Sequence, residues 1–214
     1  MTITVLKPGL QSTLQSRPRT GLRHQGVPAS GAADPLSLAL ANKLLGNPWD
    51  AAAIEATLLG PVLRFDVDCA FALTGATASA TLNGSAVAAH ETLFANAGDQ
   101  LVIGAIEVGA RVYISVAGGL EADEILGSTS TYLQAGFGGL QGRALQAGDT
   151  LVPLGSEAAF LQTPGEFRLP VFTSWGLRAC IAAETDLLDE ASIAVLFDTN
   201  WRVGRRADRM GLRF

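Results

Sequence analysis

Several residue types are scarce in this chain of 214 residues. It has only two cysteines, Cys69 and Cys180, too few for a disulfide framework or a four-thiolate zinc site. It also has only two histidines, so no pair of histidines stands at metal-ligand spacing. We therefore predict two buried free thiols and no metal site formed by this chain.

Charged residues are also few. They make up 16% of the chain against 48% hydrophobic residues, which excludes general disorder. The net charge is −5, but residues 1–33 hold four cations and no acid, and residues 201–214 hold five arginines and one acid. An acidic chain is poorly suited to nucleic acid, so we predict no nucleic-acid partner. Two basic ends fit a small anion such as a phosphate or carboxylate, although charge alone favours ordinary surface arginines.

Long apolar runs are missing as well. No stretch approaches the roughly 20 residues of a transmembrane helix, so we predict no membrane association. Residues 1–8 alternate as in a strand and lack the apolar core of a signal peptide. A cytoplasmic location is the default expectation.

The chain consists mainly of short strand-like segments closed by turn residues. Asn83-Gly84 is a strong hairpin signal, because a type I′ turn needs positive φ at both central residues. Regular short strands with such turns predict a mainly β chain that forms a barrel or a sandwich. The predicted strands are 2–6, 62–67, 69–73, 78–82, 92–94, 100–103, 111–116 and 150–152.

One prominent helix is predicted at residues 34–45. Asp34 is a good N-cap, Pro35 suits the first helical position, and Gly46 ends the pattern. One apolar face is expected on this helix, formed by Leu36, Leu40, Ala41, Leu44 and Leu45.

Two further helices and one domain boundary are predicted. The helices are expected at 50–56 and within 183–196. Glycine, serine and proline cluster near residues 154–170, which indicates a boundary between a domain at 1–155 and a smaller, partial subdomain at 165–214.

The glycine-rich, basic stretch 19–34 is the first candidate for chemistry. It contains His24, and Gly26 and Gly31 let the backbone pass close to a ligand. Ser30 offers a hydroxyl just before the helix, whose N-terminus attracts anions. The alternative is that this serine only caps the helix.

Two later stretches are further candidates. Residues 117–143 combine glycines with hydroxyl side chains and one arginine, a donor-rich set that suits phosphate or carboxylate oxygens, although a wide turn between strands could look the same. Residues 200–211 contain Arg206 and Arg209 beside Asp208. These arginines either clamp an anionic substrate or form a surface ion pair worth little.

Together these stretches resemble one family over essentially the whole chain. The matching segments are Gly26-Val-Pro-Ala-Ser-Gly-Ala-Ala-Asp34, Leu40-Ala-Asn42, Leu45-Gly-Asn47, Glu55, Leu73-Thr-Gly-Ala76, Val116-Ala-Gly-Gly119, Gly127-Ser-Thr-Ser-Thr131, Phe137-Gly-Gly139, Gly142-Arg143, Trp201-Arg-Val203 and Asp208-Arg-Met-Gly211. The chain is similar to the C subunit of the prokaryotic 5-oxoprolinase complex, a family also labelled allophanate hydrolase subunit 2 and antagonist of a kinase inhibitor. It is also similar to one half of the carboxyltransferase domain of urea carboxylase.

The resemblance implies a cyclophilin-like β-barrel with a partial second β subdomain. It implies a hetero-oligomer with the B subunit of 5-oxoprolinase, and an A subunit for complete activity. The implied reaction is ATP-dependent opening of the lactam of 5-oxo-L-proline to L-glutamate, with Mg²⁺ at the level of the complex. Family members continue past the final motif, so we expect this chain to need partners for activity, and to self-associate or expose an apolar face without them.

Residue chemistry suggests roles for the candidate side chains in this reaction. Positive and donor-rich groups would stabilise the phosphate and the developing oxyanion. We predict that the catalytic residues, His24, Ser30, Ser128, Ser130 and Arg143, border one cleft. We predict that the substrate is bound by Arg19, Gly26, Gly31, Gly138, Gly139 and Arg209.

Two other functions remain open at this point. A biotin-dependent carboxyltransferase would need a carboxybiotin carrier from another protein, because this chain has no biotin-accepting Met-Lys-Met. A regulatory partner that antagonises a kinase inhibitor would bind its sister protein without catalysis.

Overall fold

The computed structural model describes residues 2–155, 161–165, 168, 176 and 178–204. The chain divides into two units, residues 1–173 and 174–214. The predicted boundary between 155 and 165 falls largely on residues 156–160, outside the described residues, and stays a prediction.

The first unit is built around one strongly curled antiparallel sheet with the order β2-β3-β8-β4-β1-β9, and with β5 paired to β6, β7 and β8. The prediction of a mainly β chain with one prominent helix in this part is confirmed. The elements are β1 (Ile3–Lys7), β2 (Gln11–Gln15), α1 (Pro35–Leu44), β3 (Ala53–Thr57), β4 (Val62–Phe65), β5 (Cys69–Leu82), β6 (Ser85–Ala86), β7 (Thr92–Ala95), β8 (Gln100–Val116) and β9 (Thr150–Leu151).

Two strands are longer than the sequence predicts. Segments 69–73 and 78–82 belong to the single strand β5, and 100–103 and 111–116 belong to β8. The two strands pair along their length, with register shifts between Gly75 and Ala80 that bend the ribbon. These bulges break the apolar alternation, which is why each strand looked like two. The Asn83-Gly84 hairpin is confirmed, with φ values of 51° and 82°.

The main core lies on one face of the curled sheet. Ile3, Leu63 and Phe65 come from neighbouring strands and are fully buried. Phe71 packs on Phe65 with ring centroids 5.2 Å apart. Burying each such side chain contributes about 1.5–3 kcal/mol.

Helix α1 covers the other side of the sheet. Its predicted N-cap is confirmed, since Asp34 accepts a hydrogen bond from the backbone N–H of Ser37 at 3.0 Å. Three residues of the predicted apolar face, Ala41, Leu44 and Leu45, are buried as expected. Leu36 is instead 49% exposed, and Leu38, which was not predicted, is buried. Leu38 is buried because, together with Ala41, it packs on Tyr113 of the sheet.

The predicted helix at 50–56 is wrong, because residues 53–57 form β3. That strand lies between β2 and β8, and both neighbours pair with it antiparallel. Hydrogen bonding on two sides overrides the helix preference of its alanines. The polar strand β2 was not predicted for a similar reason, since its alternation is weak and its partners are distant in sequence.

The second unit is described for residues 178–204. A short 3₁₀ helix spans Ala183–Leu187 and α2 spans Glu190–Asp198, which confirms a helix in the region 183–196. No described residue of 178–204 is buried. Its large exposed apolar side chains are Ile181, Leu187, Leu188, Val195, Leu196, Phe197, Trp201 and Val203. Self-association through them stays a prediction.

Two smaller expectations can also be compared with the structure. Cys69 is buried as predicted, but Cys180 is exposed, so the prediction of two buried thiols is wrong for Cys180. None of the helices in the described part of the chain has the length and hydropathy that a membrane span requires.

Candidate functional site

The two candidate glycine-rich loops meet beyond the end of β2. We call residues 19–34 the first loop and residues 117–143 the second loop. The backbone N–H of Arg19 donates to the carbonyl of Ala29 at 2.6 Å, which joins the start of the first loop to its later part. The N–H of Thr131 donates to the carbonyl of Leu14 at 2.9 Å, which joins the second loop to β2. Segments 14–19, 29–32 and 128–131 therefore form one cluster, although they are distant in sequence.

The hydroxyls of Ser128 and Ser130 point inward and hold this cluster together. Ser128 is 1% exposed and Ser130 is fully buried. Both hydroxyls donate to the carbonyl of Arg17, at 2.6 Å and 3.1 Å. The Ser130 hydroxyl also accepts from the backbone N–H of Ser16 at 2.9 Å. In this state neither hydroxyl faces solvent, so the predicted catalytic roles of both stay predictions.

Arg19 is buried beside these serines, with 2% of its surface exposed. Its guanidinium donates to the carbonyls of Ile125 at 2.9 Å, Ser128 at 3.2 Å and Ser130 at 2.6 Å. Its Nη1 has no hydrogen-bond partner, and the ring of Phe137 lies 4.8 Å from the guanidinium carbon. Burial lowers the pKa of Arg19. These three hydrogen bonds hold the second loop in place. The predicted role of Arg19 in substrate binding stays a prediction.

Gly138 and Gly139 lie against the same cluster. A Cβ on Gly138 would clash with the carbonyl oxygen of Ser130 and lie 2.6 Å from Nη2 of Arg19. A Cβ on Gly139 would clash with Oγ1 of Thr131. These glycines allow the loops to pack closely, which is a structural reason for their presence.

The first loop carries the accessible candidates. Ser30 has a φ of 52°, an uncommon conformation for a residue with a side chain, and it is partly exposed. Gly31 follows with a φ of 86°, and a Cβ there would come within 2.9 Å of the Cα of Pro18. A strained, partly exposed serine in a loop is suited to contact a ligand.

His24 is exposed on a single 3₁₀ turn formed by Arg23–Gln25. Its Nε2 lies 3.2 Å from the side-chain nitrogen of Gln25. Gly26 closes the turn with a φ of 77°, and its N–H donates to the carbonyl of Arg23 at 3.0 Å. The imidazole is therefore placed where a ligand can reach it.

Arg143 is directed to a different partner. Its two terminal nitrogens donate to the carboxylate of Asp149 at 2.7 Å and 2.8 Å. It also bonds the side chain of Gln141 at 3.2 Å. This bidentate pair ties the second loop to the turn before β9, so the guanidinium is engaged and its predicted catalytic role stays a prediction.

The Arg143–Asp149 pair predicts an acid-dependent part of the stability. Hydrogen bonds from Arg143 hold the pKa of Asp149 below its usual range. Because this pKa is lower in the folded protein than in the unfolded chain, the ionised carboxylate stabilises the fold above about pH 4. That stabilisation is lost as the pH falls through the lowered pKa. We expect Asp149→Asn to lower the free energy of unfolding by about 1 kcal/mol at neutral pH, measured by urea denaturation.

The same measurement at about pH 2.5 should show a much smaller gap between the wild type and Asp149→Asn. Arg143→Gln should remove the same pH dependence. A gap that stays constant over this range would contradict the assignment.

A buried acid and phenol, which sequence reasoning did not assign a role, anchor the end of the first loop. Glu55 is 2% exposed and accepts from the backbone N–H of Ala33 and the hydroxyl of Tyr113, both at 2.8 Å. The Tyr113 hydroxyl in turn accepts from the N–H of Asp34 at 2.7 Å. Burial, with the nearby Glu55 charge, raises the pKa of Tyr113 above the range of ordinary phenols. The only sequence signal for this pair was the motif match at Glu55.

The described residues therefore separate the predicted site into two groups. Ser128, Ser130 and Arg19 form an internal clamp, and Arg143 is bound to Asp149. His24 is exposed and Ser30 is partly exposed. Arg209 lies outside the described residues. Within the described part of the chain, no three His, Cys, Asp or Glu side chains come together as metal ligands.

The structural class is a mainly β unit in which one curled sheet has glycine-rich loops packed beyond its strand β2. The chain belongs to the family described as "Carboxyltransferase domain, subdomain A and B", whose model matches residues 25–214. It is 36% identical over 99% of its length to the C subunit of 5-oxoprolinase from Escherichia coli, and covers 67% of that protein. It is 34% identical over 98% of its length to urea amidolyase of Lachancea kluyveri, and covers 12% of that protein.

A solved structure agrees with these comparisons. The crystal structure of urea amidolyase from Kluyveromyces lactis superposes with a TM-score of 0.90 and 34% identity, over 99% of this chain and 14% of that one. The family resemblance inferred from the sequence motifs is thereby confirmed.

Proposed function

We propose that this chain is the C-type subunit of an ATP-dependent 5-oxoprolinase complex that also contains an A and a B subunit. The observation that carries the proposal is the match to the C subunit of the Escherichia coli 5-oxoprolinase, which extends over 99% of this chain and two thirds of that relative. The match to urea amidolyase covers only 12% of a much longer protein. A similar relation to the C subunit of a second 5-oxoprolinase, from Haemophilus influenzae, supports the same choice, with 34% identity over 68% of that protein.

The proposed reaction uses ATP because a lactam carbonyl is a weak electrophile. Phosphoryl transfer to the carbonyl oxygen makes the ring carbon a better target for water. Attack by one water breaks the ring C–N bond, and hydrolysis of the resulting acyl phosphate by a second water gives L-glutamate and phosphate. Positive and hydrogen-bonding groups accelerate such steps by stabilising the phosphate and oxyanion charges.

The first loop fits this chemistry better than the internal clamp does. In this proposal the exposed His24 accepts a proton from an attacking water, and Ser30 donates to a ligand oxygen. The exposed Arg23 complements phosphate charge. Ser128, Ser130 and Arg19 would act by holding the second loop in place. Mg²⁺ would enter with the nucleotide, because Mg²⁺ in nucleotide-dependent enzymes is held largely by the substrate phosphates.

The test is co-expression of the chain with the A and B subunits, followed by measurement of ADP release with and without 5-oxo-L-proline. We expect substrate-dependent ADP release and matching formation of glutamate. Replacing His24 by Ala should lower kcat by about a hundredfold, the usual contribution of an acid–base group. Ser30→Ala should also lower turnover, whereas Ser85→Ala, an exposed serine on the β5–β6 hairpin, should not.

If the assembled complex shows no ADP release that depends on 5-oxo-L-proline, the proposal is wrong.

A second candidate is a carboxyltransferase role, which the urea amidolyase similarity favours. It predicts consumption of carboxybiotin supplied by a separate carrier, with no need for ATP at this subunit. The two functions are therefore distinguished by adding either cosubstrate alone.

A further inference from the structure

The left-handed residues of the first loop are held on both sides. Ser30 has a φ of 52° and Gly31 a φ of 86°. Before them, the carbonyl of Ala29 accepts from the N–H of Arg19 at 2.6 Å. After them, the two backbone N–H groups of residues 33–34 each donate to a side chain of the sheet. A serine keeps such an uncommon conformation only where its surroundings determine it, so these contacts set the backbone of Ser30.

Both acceptors after Gly31 come from neighbouring strands. Oε2 of Glu55 on β3 accepts from the N–H of Ala33 at 2.8 Å. The hydroxyl of Tyr113 on β8 accepts from the N–H of Asp34 at 2.7 Å and donates to the same Oε2 of Glu55 at 2.8 Å. Glu55 and Tyr113 are directly paired in the sheet register. A carboxylate only accepts and a phenol has one hydrogen to donate, so neither side chain can turn away without releasing a contact of the loop.

Burial makes this pair costly as well as rigid. Glu55 is 2% exposed and Tyr113 is fully buried. Nε of Arg111 lies 3.7 Å from Oε1 of Glu55, so the cation faces the carboxylate oxygen that does not bind the loop. Burying a charge is unfavourable unless it is paired and hydrogen-bonded, and apolar residues often replace such groups without loss of stability. Packing alone therefore does not require a polar pair at these two positions.

We propose that Glu55 and Tyr113 are positioning residues, which hold Ser30 in its left-handed conformation so that its hydroxyl meets an oxygen of the bound substrate. The proposal rests on the proposed function for the identity of that substrate, 5-oxo-L-proline. Both side chains act through the loop backbone and not by touching the substrate. A donor that is misplaced by about 1 Å can lower the rate about a hundredfold, so a loosened loop should have a measurable cost.

The first test removes one hydroxyl from the sheet. Tyr113→Phe leaves the N–H of Asp34 without its acceptor and keeps the ring. We expect kcat/KM for 5-oxo-L-proline to fall about tenfold in the complex assembled with the A and B subunits.

Thr74→Val is the matched control for Tyr113→Phe. Thr74 is buried and pairs with Tyr113 in the register of β5 and β8, but its hydroxyl donates to the carbonyl of Ser37 in α1, at 2.7 Å. Both variants should lower the thermal midpoint by about 2–4 °C, because each loses one buried hydrogen bond. Thr74→Val should nevertheless leave kcat/KM unchanged.

The second test compares two neutral replacements of Glu55. Glutamine keeps an oxygen that can accept both hydrogen bonds, whereas methionine has a similar length and no such acceptor. Both remove the charge that faces Arg111, so loss of this charge is common to the two variants. We expect Glu55→Gln to keep kcat/KM within about threefold of the wild type, and Glu55→Met to lose it as Tyr113→Phe does.

A double-mutant cycle tests whether the effect passes through Ser30. In the Ser30→Ala background, Tyr113→Phe should lower kcat/KM by less than about a further twofold, because the donor that it positions is already gone. Full, independent losses in the double variant would overturn the proposal. So would unchanged kcat/KM in both Tyr113→Phe and Glu55→Met, or an equal loss in Thr74→Val.

Amide hydrogen exchange of the full chain measures the loop contacts without any activity. The N–H of Asp34 should exchange about tenfold faster in Tyr113→Phe, whereas the N–H of Thr131 in the second loop should not change. Unchanged exchange at Asp34 would overturn the proposal. Faster exchange with no ADP release by the wild-type complex would refute the proposed function and leave the contact with the loop intact. Faster exchange with full turnover of Tyr113→Phe would refute the positioning role alone.

Discussion

Replacing Arg19 by Met should lower the free energy of unfolding by about 3 kcal/mol or more, at roughly 1 kcal/mol for each lost hydrogen bond. The buried guanidinium donates to three loop carbonyls, of Ile125, Ser128 and Ser130. Methionine keeps much of the apolar stem but donates nothing, so those carbonyls lose their arginine donors. Urea denaturation of both proteins at neutral pH measures the difference.

Arg17→Met is the matched control for this experiment. Arg17 lies two residues away and also donates to a loop carbonyl, that of Gly127, but its side chain is 52% exposed. Water can replace its hydrogen bond, so we expect a loss of about 1 kcal/mol or less. Equal stability of the two variants would show that burial of the Arg19 contacts is not what holds the second loop.

The best-predicted features are those that adjacent residues determine. The start of α1 follows from Asp34 and Pro35, and the hairpin follows from Asn83-Gly84, because capping and turn conformations depend on local side chains. The length of β5 and the existence of β3 depend on pairing with β8, which is distant in sequence. Local patterns contain little information about that pairing.

The candidate site was predicted in composition but not in arrangement. The sequence shows that Ser128, Ser130 and Arg19 can donate hydrogen bonds, but not which acceptors are near. The curled sheet brings the Arg17 carbonyl beside both serines and buries Arg19, so these donors face inward. His24 lies on an exposed turn formed by its immediate neighbours, and its accessibility could therefore be anticipated from the surrounding glycine-rich loop.

Replacing Gly138 by Ala should be more damaging than any surface substitution. The glycine has a φ of 72°, which costs an alanine about 1–2 kcal/mol by itself. The added Cβ would also clash with the Ser130 carbonyl oxygen and lie 2.6 Å from Nη2 of Arg19. Since Arg19 Nη2 and that carbonyl are joined by a hydrogen bond, relieving the clash would break the clamp. We expect a total loss above about 3 kcal/mol or failure to fold.

Gly136→Ala provides the comparison that isolates the clash. Gly136 lies two residues away with a φ of 66°, but a Cβ there would meet nothing within 4 Å. It should therefore lose only the conformational part, about 1–2 kcal/mol, in the same denaturation experiment. If both variants lose the same amount, backbone conformation alone explains the effect, and the close packing of Gly138 on the Arg19 clamp contributes nothing to stability. A larger loss in Gly138→Ala, together with a folded Gly136→Ala, would identify the contact between the two loops as the cause.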